Sequence, residues 1–556
     1  MRTCFSLLFF LSVLLGNAQE YIRPMDIPLK LSGNFGEMRR NHFHTGLDIR
    51  TEGREGIPLL AIADGFISRI KVSPVGYGNA IYIDHPDGHT SVYAHMSAFT
   101  DKISLALFQG QYAQETWEIE LYPDPEALKV KQGDVIGYSG NTGSSAGPHL
   151  HFEIRETKTE HPLNPQSYGI LADDHTCPII QGLRLYPLDK NSSVSSLNEA
   201  KNYVVRDKGA GNHLIEVPVT ACGNIGLALH TFDRMDGVHN KYGVYSLELR
   251  VNGVPVYVHS MKELDFGNFR QVNCHADYDL FSTNGWRYHK TFPSENNTLS
   301  IYELLVNGGK IHIGAGESKN IEFITKDISG NTSELRFILK GEAAPDQPFP
   351  AEKGTFWDAS TDNVYRDSSA VVMVPKGLIY DDLYLRPSST ESSDALSKRF
   401  KMHDEVVPFD NYITIKLKVK ENYSERNKLV MMLEEDNGKK TCLGGEFKNG
   451  WVQARSKTMG TFYVQEDAQA PKVQVTRLEA NAHGKINLTS SDNLSGLDSI
   501  RVEVDGRWLM MSYNASMSRS WGNFSDLHLK PGTHKILIRV WDLSGNVEII
   551  EKEVSF

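Results

Sequence analysis

Three short segments near the start of the chain concentrate histidine. They are Asn41-His42-Phe43-His44-Thr45-Gly46-Leu47-Asp48, Ser91-Val92-Tyr93-Ala94-His95-Met96 and Gly147-Pro148-His149-Leu150-His151-Phe152-Glu153-Ile154. In the third, His149 and His151 alternate with Leu150, Phe152 and Ile154. Alternate side chains of a strand share a face, so both imidazoles point one way while the apolar set enters a core. Such a pair alone needs no function. The first segment adds a reason. His44 and Asp48 are four residues apart, on one face of either a strand or a helix, and Gly46 with the β pattern that follows favours an extended path. Neutral imidazole and carboxylate are ligands suited to zinc. Two histidines plus one aspartate make three protein ligands and leave a fourth position for water, as a catalytic zinc site requires. Spacing alone does not tell His149 from His151 as the second histidine ligand.

Competing motifs weigh less. Gly143-Ser144-Ser145-Ala146-Gly147 fits the serine-hydrolase pattern Gly-x-Ser-x-Gly, but that motif needs a helix after it, and here Pro148 and a strand alternation follow. It reads as a Ser/Gly-rich turn. No His-Glu-x-x-His occurs, which excludes a thermolysin-like helix site. His85 and His89 flank the hairpin turn Pro86-Asp87-Gly88 and are expected in solvent. His42 is set aside because the Gly-x-Asp spacing belongs to His44. Glu434-Glu435-Asp436, before Asn437-Gly438, reads as a solvated turn.

The elements that position these residues are strands. From Leu59 onward, apolar runs of four to eight residues are punctuated by Gly, Asn, Asp and Pro, a pattern of half-buried strands with few long amphipathic helices. The chain is predicted mostly β. Its 556 residues make three to five domains at roughly 150 residues each. Breaks at 173–178, 341–350 and 466–471 resemble linkers. They give a head at 24–170 and three β-sandwich modules at 175–340, 351–466 and 470–556. The first and last modules share a signature. Asp327-Ile328-Ser329-Gly330-Asn331 and Asp542-Leu543-Ser544-Gly545-Asn546 each precede a strand, and each follows a strand ending in Asn252-Gly253 or Asp505-Gly506. These modules resemble the immunoglobulin-like sandwiches of bacterial surface proteins and read as spacers.

Met1-Arg2-Thr3-Cys4, an apolar run from Phe5 to Leu15 and Gly16-Asn17-Ala18 form the parts of an export signal at 1–18. The run is shorter than the roughly 20 residues of a spanning helix, so no transmembrane anchor is expected after its removal. The location implied is periplasmic, cell-surface or extracellular. Cys177, Cys222, Cys274 and Cys442 remain, spaced too widely for a zinc knuckle. Cys222 with Cys274 as a disulfide, and four free thiols, are both open readings. The net charge is −11 with no run of five Lys or Arg, which argues against a nucleic-acid partner.

With these residues in view, the head resembles the lysostaphin-type (LytM-like) zinc metallopeptidases that cleave peptidoglycan. The likeness rests on His44-x-Gly46-x-Asp48, Tyr93-x-His95-Met96 and Gly147-Pro148-His149-Leu150-His151-Phe152-Glu153. The connecting text Ala63-Asp64-Gly65, Tyr77-Gly78-Asn79 and Lys131-Gln132-Gly133-Asp134 adds to it, over about residues 24–169. The resemblance implies an antiparallel-β metallopeptidase domain in which His44, Asp48 and His151 bind Zn²⁺ while His95 and His149 act in catalysis. It leaves open which of the two takes the water's proton. The implied activity is hydrolysis of peptidoglycan peptides by zinc-activated water with histidine assistance. A non-catalytic wall-docking regulator on the same fold is the alternative, and the β modules offer surface for a protein partner. Isolated, residues 24–170 are expected to fold and keep their zinc. The segment 97–129, with Phe108, Tyr112, Trp117 and Tyr122, is longer than the family's usual connection. It reads either as a surface excursion with its own small core or as a wall over the groove.

Overall fold

The computed structural model describes residues 20–344, 349, 353–403, 407–420 and 428–555. The export signal assigned to 1–18 lies outside the described residues, as does part of the stretch 341–350. Strands take up 47% of the chain and helix 9%, as the mostly-β expectation requires. Among the described residues no helix is long and apolar enough to cross a membrane.

The head is built on one antiparallel sheet. Its strands include β1 (Leu31–Gly33), β2 (Leu47–Arg50), β3 (Gly65–Val72), β4 (Ala80–Asp84), β5 (His89–Ala94), β6 (Ile119–Leu121) and β7 (His149–Glu156). They lie in the order β1-β2-β7-β5-β4-β3-β6 within a nine-stranded sheet. The alternation read in β7 holds: Leu150, Phe152 and Ile154 are fully buried on one face. Register does the rest. His151 on β7 pairs with Asp48 on β2 and, on its other side, with Ala94 at the end of β5. Gly46 makes the close approach of β2 and β7 feasible, since a Cβ there would sit 2.3 Å from the Phe152 carbonyl oxygen.

The segment 97–129 holds a helix, α1 (Asp101–Gln114), ended by Glu115 in the left-handed conformation. Its Leu, Ala, Gln and Lys residues are good helix formers, with Ile103 its one β-branched residue, so local propensity overrides the β pattern of the surroundings. Leu107 and Trp117 pack on the core of the head, so the excursion has no separate core. On its outer side Tyr112 stacks edge-on against Trp508 at 5.2 Å, and Glu115 pairs with Arg501 at 2.9 Å. The excursion therefore docks on the last module.

Residues 179–341 form a 13-stranded sheet, 363–466 two five-stranded sheets closing on a single core, and 472–555 two four-stranded sheets that do the same. The first of these modules is fused to the head. Phe35, Met38 and Phe43 share one core with Tyr242, Met261 and Leu264, and a Cβ on Gly36 would meet Met261 Cγ at 2.6 Å. Asn34 Nδ2 donates to the Gly243 carbonyl at 2.8 Å, and Tyr242 Oη donates to the Leu31 carbonyl at 2.9 Å. The boundary drawn at 170 runs through a continuous core.

Three sequence expectations resolve here. Cys177, Cys222, Cys274 and Cys442 are free thiols, and no Cys222–Cys274 bridge forms. His85 is buried rather than solvated, because its ring bridges the Asp64 carbonyl at 2.9 Å and Ser91 Oγ at 2.8 Å. Glu435 is not free in solvent either, since it pairs with Arg40 of the head at 3.3 Å.

Candidate metal centre

Asp48 and His151 face each other across β2 and β7, and His44 enters from the turn before β2. His44 Nε2 lies 3.0 Å from Asp48 Oδ1 and 3.0 Å from His151 Nδ1, which is itself 2.9 Å from Asp48 Oδ1. All three residues are buried, and these atoms are close enough together to hold a metal ion. The far nitrogen of each ring is committed elsewhere. His44 Nδ1 donates to the Asn34 carbonyl at 2.7 Å, and His151 Nε2 donates to Glu153 Oε1 at 2.8 Å. Those bonds select the tautomers whose lone pairs point at the centre. Arg39 Nη2 donates to Asp48 Oδ2 at 2.5 Å, which leaves Oδ1 for an ion. Two imidazoles and one carboxylate fit a divalent cation that keeps a further position open.

The charges around the centre are unevenly placed. Burial holds the His44 imidazole down, to about 4, despite the Asp48 carboxylate beside it. Burial also acts against a charged His151, but hydrogen bonds to Asp48 and Glu153 outweigh it and push that imidazole up to about 9. Burial would raise the Asp48 carboxyl, yet the surrounding imidazoles hold it well below the usual carboxylate range. At pH 6, metal-free His151 is thus protonated, whereas a ligand must offer a bare nitrogen. Metal uptake at pH 6, below the pKa of about 7 of a zinc-coordinated water, should therefore release about one proton from His151, as ligand binding requires deprotonation. Calorimetric titration in buffers of different ionisation enthalpy measures that number. A value near zero from a ligand set that does load metal would show His151 already neutral.

His95 follows Ala94 and so stands beside His151. Its backbone is left-handed, φ 61°, an uncommon state for a residue other than glycine and one that clusters at functional sites. Its amide donates to the Tyr77 carbonyl at 2.9 Å, and Nδ1 donates to the Thr142 carbonyl at 2.8 Å. His149 Nδ1 likewise donates to the Gly147 carbonyl at 2.8 Å, while its Nε2 lies 3.4 Å from Asp48 Oδ1. The two rings are 4.7 Å apart. In each ring the bond at Nδ1 leaves Nε2 as the nitrogen for other contacts. Burial, then the neighbouring His151 and His149, depresses His95 to about 3, so it is neutral at physiological pH. All five residues singled out in the sequence thus gather at one place, and the exposed His42 stays outside it.

Sequence reading assigned no role to Glu153. Its position two residues after His151, on the same face of β7, was the available signal. Fully buried, Glu153 accepts from His151 Nε2, from Tyr77 Oη at 2.6 Å and from Arg155 Nε at 2.7 Å. Partners of this kind fix a ligand's orientation and raise its basicity. Glu153→Gln should weaken metal affinity by about 10–100-fold, read by competition with a chromophoric chelator. An unchanged affinity would show that the contact is structural alone.

A second cluster escaped notice because its members are far apart in sequence. His259, His275 and His289 are buried together in the next module and could also hold a metal ion. His259 Nε2 has no hydrogen-bond partner there, and burial lowers all three imidazoles.

Residues 42–113 and 125–165 match the model of Peptidase family M23. The head carries an M23 domain. The match breaks at 114–124, inside the excursion after α1. DD-carboxypeptidase/endopeptidase Mpg of Neisseria meningitidis is 38% identical over 127 residues, which is 23% of each chain. Peptidoglycan DD-endopeptidase ShyA of Vibrio cholerae is 29% identical over 137 residues, 24% of this chain and 26% of that one. The chain thus spans about a quarter of the length of these relatives. The catalytic domain of the antimicrobial peptidase lysostaphin from Staphylococcus simulans aligns with 26% identity and a TM-score of 0.19, covering 25% of this chain and 91% of that structure. Beyond the M23 domain, residues 354–467 match a Zu5-like domain model.

Proposed function

We propose that this chain is an exported zinc endopeptidase that hydrolyses the peptide cross-links of bacterial peptidoglycan. Its working division is the head at 24–170 with modules at 175–340, 351–466 and 470–556. The observation that carries the reading is the convergence of His44 Nε2, Asp48 Oδ1 and His151 Nδ1 beside two further histidines whose Nδ1 atoms are already bonded. The relatives Mpg and ShyA, named as endopeptidases, support the substrate class.

Zinc held by His44, Asp48 and His151 would act as a Lewis acid and bring the pKa of a coordinated water to about 7. The chain's own groups do the rest. Asp48 supplies the one negative charge among the ligands, and Glu153 keeps the His151 ring aligned. With Nδ1 held by a backbone carbonyl, each ring works through Nε2: one of His95 and His149 takes the proton of the attacking water there and returns it to the leaving amine, and the other, when it carries a proton on Nε2, donates to the oxyanion that develops on the scissile carbonyl. The test is incubation of the zinc-loaded chain with purified cross-linked peptidoglycan. Mass spectrometry should find uncross-linked peptides with new amino and carboxyl ends. Zinc bound without release of any peptide would replace this reading with a wall-docking regulator.

A further inference from the structure

The signature shared by the first and last modules does more than turn the chain. In each, the leading aspartate is capped by the closing asparagine: Asn331 Nδ2 donates to Asp327 Oδ2 at 2.7 Å, and Asn546 Nδ2 donates to Asp542 Oδ2 at 2.7 Å. The same Asn side chains reach the segment that enters the module, at the Asp174 carbonyl (3.2 Å) and the Asp467 carbonyl (2.9 Å). That contact sets a second carboxylate beside the turn. A third comes from the residue just after a long strand, Asp233 after β8 (Val219–Phe232) and Asp492 after β10 (Lys485–Ser491). The next strands, β9 (Ser246–Val251) and β11 (Leu497–Val504), are the pair already matched in sequence. Two modules thus build the same triad from the same three places, Asp174/Asp233/Asp327 and Asp467/Asp492/Asp542. In each, one carboxylate oxygen per residue lies within 4.8 Å of the others.

Both triads hold unpaired acceptors. Asp233 is 2% exposed and Asp467 0% exposed, yet Asp233 Oδ1 and Asp467 Oδ1 have no hydrogen-bond partner, and neither has Asp492 Oδ1. A buried acceptor without a partner costs about 1–3 kcal/mol, more if charged, and an unseen ion is one of the few explanations. We propose that each triad is a calcium site, encoded twice by the repeat, that ties the entering segment of its module to the Ser-Gly-Asn turn. Three hard anionic oxygens with no histidine or thiolate suit Ca²⁺ rather than zinc.

The experiment uses the full chain, stripped with chelator, reloaded with zinc and dialysed to equilibrium against CaCl₂, with calcium counted by mass spectrometry. Two calcium ions per chain are expected. Asp233→Asn and Asp492→Asn should each lose one, and the double variant both, at unchanged zinc content. Calcium at 100 times its Kd should also raise the folded-to-unfolded ratio of the parent about 100-fold per site, seen as a higher melting temperature that equal magnesium does not reproduce. No calcium on the parent, or a double variant that binds as the parent does, would overturn the proposal. A single ion per chain would overturn the claim that the repeat encodes the site. Should a variant fail to fold by circular dichroism, the stoichiometry and thermal shift of the parent decide.

Discussion

Replacing His44, Asp48 or His151 by alanine should lower bound zinc by one ion per chain and abolish release of wall peptides. Each supplies one of only three protein donors, and their atoms sit about one ion's coordination sphere apart. Asp48→Ala does further harm, since it removes the anionic ligand and leaves Arg39 without its partner at the centre. Zinc is read as a difference from the parent, so that metal held at His259, His275 and His289 cancels. The outcome that would reverse the assignment within β7 is loss of zinc in His149→Ala with retention in His151→Ala. Geometry favours His151, whose Nδ1 lies 2.9 Å from Asp48 Oδ1 where His149 Nε2 lies 3.4 Å away. Five variants that all hydrolyse like the parent would dismiss the site.

His95→Ala and His149→Ala should keep zinc and lose turnover. Neither ring is needed to complete the donor set, and both are held by backbone carbonyls rather than by the metal-binding residues. Positioned acid–base groups contribute about 10²–10⁴-fold, or about 3–5 kcal/mol of barrier. The loss should appear in kcat and kcat/KM together, with KM little changed, because the groups act in the transition state. A rise in KM alone would make His95 or His149 a substrate-binding residue. The two variants also divide the roles. The one that loses its proton acceptor loses the acid limb of the pH–rate profile, while the other keeps that limb at a lower ceiling.

Much of this site was legible because its chemistry is local in sequence. The His149-Leu150-His151 alternation places both rings on a single strand face, where strand periodicity needs no tertiary knowledge, and His44-x-Gly46-x-Asp48 keeps its two side chains within one short turn-and-strand segment. What spacing could not say was which of His149 and His151 stands opposite Asp48, because that depends on cross-strand register with β2. Glu153 had the right face but an ordinary identity. Its role depends on Tyr77 and Arg155 closing over it. His85 looked like a turn residue and is instead wrapped by Asp64 and Ser91, contacts that only the folded sheet brings together. α1 was hidden by base composition around it, although its own residues favour a helix. The aspartate triads and the second histidine cluster were illegible for a different reason: their members come from separate strands and turns, and a short-range pattern carries no trace of that.

The core common to Phe35, Phe43, Tyr242 and Met261 sets what can be exchanged between chains built like this one. A chimera that grafts residues 24–170 onto foreign partners would leave an apolar face wet on the very segment that carries Arg39 to Asp48. Arg287 of the adjoining module, which donates to the Met38 carbonyl at 3.0 Å, would be lost with it. The pair, residues 20–344, keeps that core whole. The modules beyond it can be swapped with less disturbance to the metal-binding strands, whereas the first has become part of the tool that holds them.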